Sequence, residues 1–234
     1  MKAFVTLFRK NTYFFLPLLL WILTGAVMQS IFTPAELFMG INHLHNPYAD
    51  VLMTGLTYMG DGIAFGLVLL IVLMTRKFKV FFIGLTSILL VTVIVQVIKH
   101  AVDAPRPLLY FQDPSLLHMV KWVTVHGQNS FPSGHSAGAF SLFCFLSLVD
   151  KNKLRGPLFL GLALIAAYSR IYLAQHFFAD IYIGSIIGAL CSFVVYGLFE
   201  FKNLTQSPVL CQQAEAQLLA EAELEPNHLE ANLG

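Results

Sequence analysis

Charge is what this sequence has least of. Of its 234 residues only 12% are Asp, Glu, Lys or Arg, about half the share usual in soluble domains. With 57% hydrophobic residues and a mean hydropathy of +0.71, a soluble globular chain is excluded and a membrane protein forming one compact bundle is indicated. Charge of one sign is also lacking: the net value is +1, which leaves no basic face for nucleic acid. Cysteine is scarce. Cys144 and Cys191 lie in apolar runs and Cys211 in a polar tail, so neither a disulfide framework nor a zinc site is expected. The membrane part has no internal repeat. The first apolar run follows the basic start "MKAFVTLFRK" but is too long for a signal-peptide core, and no good cleavage site follows it, so a retained anchor is expected. Paired outer-side carboxylates at ligand spacing are absent as well, so neither a metal nor another cofactor is anticipated.

What is there is a series of apolar runs. A helix crossing the bilayer core needs about 20 mostly apolar residues, and six runs qualify: Tyr13–Phe32, Val51–Thr75, Val80–Ile98, Phe131–Val149, Pro157–Leu173 and Ile181–Phe201. They predict an all-α fold, an integral membrane bundle of six transmembrane helices over residues 1–203. Asp61 and three glycines interrupt the second run. A start near Gly62 instead leaves Glu36–Met53 as an interfacial segment. Residues 204–234 turn acidic and Ala/Glu/Leu-rich and read as a cytoplasmic tail; "ELEPNHLEANLG" resembles a tetratricopeptide junction, but one partial match makes no array.

Lysine and arginine orient the bundle. One side carries Lys2, Arg9, Lys10, Arg76, Lys77, Lys79, Lys151, Lys153, Arg155 and Lys202; the other carries only Lys99, Arg106, Lys121 and Arg170. The richer side, with both termini, is expected in the cytoplasm. Three of the four outer cations fall in segments holding unusual polar residues.

The first such segment is "KHAVDAPRP". Lys99 alone reads as a cation snorkelling at a helix end, but Arg106 sits between two prolines on stiffened backbone, where a planar guanidinium suits bidentate phosphate or carboxylate recognition. The second is "NSFPSGHSAGAF". Pro132 fits a first helical turn, and Ser133 and Gly134 would offer free N–H groups to an anion. Ser130 and Pro132 are explained by an ordinary helix start; His135, facing the ligand, is not. The third is "SRIYLAQHFFAD". His176 and Asp180 are four apart, hence on one face if helical, and a carboxylate fixes a histidine's tautomer and orientation. Such a pair is commonplace, but ionisable residues within a membrane protein are functional candidates. Together the three segments ask for a phosphate-like anion and supply a histidine nucleophile, a second histidine for proton transfer, and charge stabilisation without a metal.

Lys99, six residues, "RP"; then "PSGH"; then "SR", five residues, histidine, three residues, aspartate: this spacing resembles the full three-part signature of the type 2 phosphatidic acid phosphatase (PAP2) family, with every position present. The motifs cover Lys99–Asp180 and the hydropathy pattern continues to about Phe201. The resemblance implies a six-helix membrane lipid phosphatase acting through a phosphohistidine. His176 would be the nucleophile and Asp180 its orienter, with His135 protonating the departing oxygen and then activating water. Lys99, Arg106, Ser133, Gly134 and Arg170 would hold the phosphate. The expected partners are a lipid phosphate and membrane lipids. A lipid phosphotransferase of the same family and a non-catalytic anion-binding membrane protein stand as alternatives; vanadium haloperoxidases share the signature but are soluble. A lipid substrate also needs a lateral opening between helices, which the sequence does not reveal.

Overall fold

The structure is a computed structural model describing residues 2–205, and every regular element among them is helical. In order these are α1 (Lys2–Lys10), α2 (Thr12–Ile31), α3 (Pro34–Asn42), α4 (Pro47–Leu56), a 3-10 turn (Thr57–Gly60), α5 (Gly62–Met74), α6 (Phe78–Val102), α7 (Pro107–Tyr110), α8 (Gly134–Val149), α9 (Gly156–Tyr172) and α10 (Phe178–Thr205), with further 3-10 turns at Pro114–Leu116 and Lys153–Arg155. The chain divides into two units, Met1–Tyr196, which contains the bundle, and Gly197–Gly234, whose described part is the end of α10. The expected tail beyond residue 205 lies outside the described residues.

Four helical stretches are long and apolar enough to cross a membrane: Thr12–Ile31, Phe78–Tyr110, Lys153–Tyr172 and Phe178–Glu200. The pair Pro47–Gly60 and Gly62–Met74, bent by 56°, is long and apolar enough only when the two are taken together. The sixth expected span is shorter than the run that suggested it. α8 has sixteen residues, or about 24 Å against a bilayer core of about 30 Å. It has no need to face lipid, because twelve of the sixteen are buried. α8 packs mainly on α9 and α6 and against the 3-10 turn, so it is the axis of the bundle. The outer helices show the reverse pattern. Leu16, Leu20 and Leu23 on α2, Leu67, Leu70 and Ile71 on α5, and Leu89, Val93 and Val97 on α6 are all exposed. Apolar surface on that scale marks contact with lipid, and this is an integral membrane protein.

Small and hydroxylated residues let the helices meet, as expected where lipid removes the usual hydrophobic drive between helices. A side chain on Gly188 of α10 would overlap the Ala137 carbonyl oxygen, and one on Gly184 would lie 2.6 Å from the Ser133 carbonyl oxygen. Ser141 and Ser192 hydrogen-bond across the same contact at 2.8 Å, and Trp21 Nε1 donates to Ser185 Oγ at 2.9 Å.

The interruption seen at Asp61 has its reason here. The chain leaves α4, makes the 3-10 turn and restarts at α5, with Asp61 accepting from the Ile63 N–H at 3.2 Å as its cap. The turn presses on the first turns of α8: a Cβ on Gly60 would overlap the His135 carbonyl oxygen, and one on Gly138 would lie 2.6 Å from the Gly60 carbonyl oxygen. Non-helical backbone is tolerated at membrane depth where protein buries it. Glu36–Met53 is largely helical. It forms most of α3 and α4, whose polar groups clamp the end of α9. Asn42 Nδ2 donates to the Tyr172 carbonyl at 3.0 Å, and Asp50 Oδ1 accepts from Tyr172 Oη at 2.5 Å and lies 2.7 Å from His118 Nε2.

Candidate active site

One cleft of about 280 Å³ is lined by Lys99, Arg106, Gly134, His135, Arg170, Gln175 and His176, with Val123, Thr124 and His126. Six of the eight residues singled out in the sequence therefore line one cleft, although they come from three separate segments of the chain.

The three cations are held in a telling way. Lys99, in the last turn of α6, donates from Nζ to the Asn129 carbonyl at 2.5 Å. Arg106 donates from Nε to the Gln128 carbonyl at 2.9 Å and from its NH1 nitrogen to Gln175 Oε1 at 2.8 Å. Arg170, in the last turn of α9, donates from NH1 to Thr57 Oγ1 at 2.6 Å, and its buried Nε has no hydrogen-bond partner. Every one of these acceptors is a neutral oxygen. Among the described residues the side-chain ion pairs fall elsewhere or between His176 and Asp180, and none includes Lys99, Arg106 or Arg170. Arg106 and Arg170 are also buried. Buried charge with no carboxylate in direct contact is costly, so the arrangement favours an anion in the cleft.

α8 contributes Gly134 and His135. Its start differs from expectation: the N-cap is Ser133 and the first helical residue Gly134, so Pro132 precedes the cap. Ser133 stands behind the wall. It is fully buried, its N–H donates to the Asp180 carbonyl at 3.0 Å, and its Oγ accepts from the Ser136 N–H at 3.3 Å. Gly134 and His135, the first two residues of α8, line the cleft, where first-turn N–H groups lack intrahelical partners. Ser133 caps that turn.

His176 and Asp180 are not on one helix face. His176 lies in the turn between α9 and α10, and Asp180 is in the first turn of α10. That turn is tight: Ala174 adopts φ 55°, a left-handed conformation uncommon for a residue with a Cβ. The Arg170 carbonyl then accepts from the N–H groups of both Gln175 (2.9 Å) and His176 (3.2 Å). The carboxylate still meets the imidazole. Asp180 Oδ2 lies 3.4 Å from His176 Nδ1, long for a hydrogen bond, while accepting from the Phe177 N–H at 2.8 Å and from Ser130 Oγ at 2.5 Å. With its proton on Nδ1, His176 turns the Nε2 lone pair away from Asp180. Burial pushes the His176 pKa down to about 3, against the opposing pull of Asp180, so the ring is neutral at ordinary pH.

Three contacting residues were not anticipated. Ser130 was accounted for as part of a helix start, yet it is buried on Asp180. Thr57 carried no signal, since a lone threonine in an apolar run is unremarkable until the α4–α5 break brings it to Arg170. Gln175 adjoins His176, and an amide inside a membrane protein was the available hint. Among the described residues no group of three or more His, Cys, Asp or Glu could hold a metal.

A second groove, of about 170 Å³, also reaches His135. It is lined by Gly60, Asp61, Gly62, Gly134, His135 and Gly138 and, along α6, by Ile88, Val91, Thr92, Val95 and Gln96. A mostly apolar groove, with Asp61, Thr92 and Gln96 in its lining, thus runs between α5, α6 and α8 to the histidine at the head of α8.

Membrane-length helices mark an integral membrane protein, and they enclose a cleft that brings three cations and two histidines together. The chain belongs to the PAP2 superfamily, whose profile it matches over residues 80–204, more than half its length. It is similar to the crystal structure of Aquifex aeolicus LpxE, at 30% identity and a TM-score of 0.61, covering 69% of this chain and 93% of that one. It shares the fold of the transmembrane PAP2 type phosphatidylglycerolphosphate phosphatase from Bacillus subtilis, at 24% identity and a TM-score of 0.56 over 86% and 97% of the two chains. Among curated proteins it is 32% identical over 88 residues to a lipid A 4'-phosphatase of Porphyromonas gingivalis. That alignment takes in 37% of this chain and 37% of the relative, little more than a third of its length.

Proposed function

We propose that this protein is a membrane lipid phosphatase that hydrolyses a phosphate or diphosphate monoester of a lipid through a phosphohistidine. The observation that carries the reading is the set of three cations fixed only by neutral oxygens around a cleft that also contains His135 and His176. A phosphate would supply a negative charge in direct contact, which no carboxylate of the described residues gives these cations. Lys99, Arg106, Arg170 with its unpartnered Nε, and the Gly134 N–H would grip the non-bridging oxygens. Family membership supports the same reading, as does the apolar groove, which offers an acyl chain or isoprenoid a path to His135.

In the first step His176 Nε2 attacks phosphorus and the bond from phosphorus to the lipid oxygen breaks. That oxygen takes a proton from His135, and the lipid alcohol (or, from a diphosphate, the lipid monophosphate) leaves along the groove. In the second step His135 takes a proton from water, whose oxygen attacks phosphorus and breaks the P–N bond, releasing phosphate and restoring His176. Asp180 orients His176 and offsets the positive charge that the ring gains in the phosphoenzyme. The cations act by electrostatic stabilisation of the phosphoryl oxygens.

The test is release of inorganic phosphate by the purified chain from phosphatidic acid, phosphatidylglycerol phosphate, a polyprenyl diphosphate and lipid A. Release from at least one, lost in His176→Ala, is expected. Vanadate binding with no release from any of the four identifies a non-catalytic anion-binding protein instead. The ten-to-four division of cations further supports an outer-facing site with cytoplasmic termini. Single cysteines near Gln128 should react with a membrane-impermeant reagent on intact cells. Labelling confined to the Lys151–Arg155 loop reverses the orientation.

A further inference from the structure

Gln175 is a buried polar residue of the cleft, 2% exposed, and the mechanism above does not use its side chain. A buried amide is costly unless hydrogen-bonded, and this one is bonded at both ends. Its Oε1 accepts from Arg106 NH1 at 2.8 Å, and its Nε2 donates to the Thr124 carbonyl at 2.9 Å. Its main chain takes part as well: the N–H donates to the Arg170 carbonyl at 2.9 Å and the carbonyl lies 3.4 Å from Arg106 NH1. The next residue is His176. One side chain therefore joins the segment bearing Arg106, the loop bearing Thr124 and the turn bearing His176.

We infer that Gln175 is a positioning residue that holds the Arg106 guanidinium at the cleft without neutralising it, an assignment that rests on the phosphate-binding reading of the site. The geometry of the fork supports it. Nε is occupied by the Gln128 carbonyl and NH1 by Gln175, which leaves the second terminal nitrogen, with no protein partner among the described residues, for a ligand oxygen. A guanidinium presents its donors in a fixed plane, so anchoring two nitrogens aims the third. The chemistry of the anchor matters as much as its position. A carboxylate there would hold the arginine equally well but form an ion pair and remove the charge that the anion needs. An amide orients and leaves the charge standing. Because the same residue leads into His176, the aim of the cation and the placement of the nucleophile are set by one short segment.

The experiment measures vanadate binding by calorimetry on the full chain in detergent, so it requires no turnover. Gln175→Met keeps the length and loses both hydrogen bonds. It should raise the vanadate Kd about 10-fold, the scale of one lost charge-assisted hydrogen bond. In an Arg106→Ala background the same change should add less than about twofold, because the group it positions is gone. With nitrophenyl phosphate, Gln175→Met should raise KM more than it lowers kcat, as loss of a grip made in ground and transition states alike requires. Damage to folding would instead lower the active fraction and leave KM alone. Gln175→Glu retains the acceptor and adds charge, and should weaken vanadate binding at least as much; it carries the test if the methionine variant aggregates. Wild-type affinity in either variant, or an undiminished Gln175→Met loss without Arg106, overturns the role of Gln175. Failure of the wild-type chain to bind vanadate overturns the reading of the site, and this assignment with it.

Discussion

Replacing Asp180 by asparagine isolates charge from shape at the nucleophile. Three donors converge on Asp180 Oδ2: Ser130 Oγ at 2.5 Å, the Phe177 N–H at 2.8 Å and His176 Nδ1 at 3.4 Å. An asparagine with its oxygen in the same place keeps all three as neutral contacts. Hydrogen bonds to charged groups contribute about 1.5–3 kcal/mol and neutral ones about 0.5–1.5, so each of the two short bonds weakens by about 1 kcal/mol. If that loosening of about 2 kcal/mol is felt in the transition state, it lowers the rate about 30-fold, at 1.36 kcal/mol per decade. The larger loss comes as His176 becomes positive on bonding to phosphorus with no carboxylate behind it. The corresponding change in a serine protease triad costs about 10⁴, so kcat should fall between about 30-fold and 10⁴-fold, less far than in His176→Ala. The assay pairs kcat on nitrophenyl phosphate with the vanadate Kd. The latter should stay within about threefold, since Lys99, Arg106 and Arg170 are bonded to other residues. Unchanged turnover refutes an electrostatic role for Asp180. A Kd that worsens as much as kcat shows that Asp180 acts by holding the cleft together.

His135→Ala should depend on the leaving group, because general acid catalysis typically contributes about 10²–10⁴-fold and a nitrophenolate leaves without help. A burst of about one equivalent of nitrophenol followed by slow turnover is expected, with almost none of that burst from a lipid phosphate; equal slowing of phosphoenzyme formation for both makes His135 a phosphate ligand only. Activity should survive EDTA and be inhibited by vanadate, since the cations are side chains; complete loss on chelation, restored by magnesium, contradicts the mechanism. Gly188→Ala should lower stability by about 1–3 kcal/mol, the usual cost of overpacking, because its methyl group would overlap the Ala137 carbonyl oxygen; an unshifted melting curve in detergent shows that α8 and α10 can part freely. Folded stability should fall as pH drops below about 6.5. The unfolded chain takes up a proton there while buried His176, with its depressed pKa, does not, so the unfolded state binds more protons; a His176→Gln variant should show a flatter acid limb.

Much of this protein was determined by the sequence alone, for physical reasons. A bilayer imposes one length and one composition on anything that crosses it, so apolar runs disclose helices, and charge scarcity makes each cation on the poorer side conspicuous. Lys99, Arg106, His135, Arg170, His176 and Asp180 could be picked out because a charged or polar group is expensive in such surroundings and short spacings tie them to helix ends. Only tertiary structure decided how they are held. Thr57 and Arg170 are 113 positions apart, and no local pattern links a threonine in one apolar run to an arginine in another. Ser130 and Gln175 reach their partners through loops without periodicity, where sequence carries little conformational information. The length of α8 was set by its burial rather than by hydropathy, because an axial helix need not match the bilayer. The break at Gly60 was visible as an interruption, but its purpose, close passage over the first turns of α8, came from packing. So did the decisive electrostatic fact. That the three cations rest on neutral oxygens depends on which atoms lie within about three ångströms, and a linear order of residues does not contain that distance.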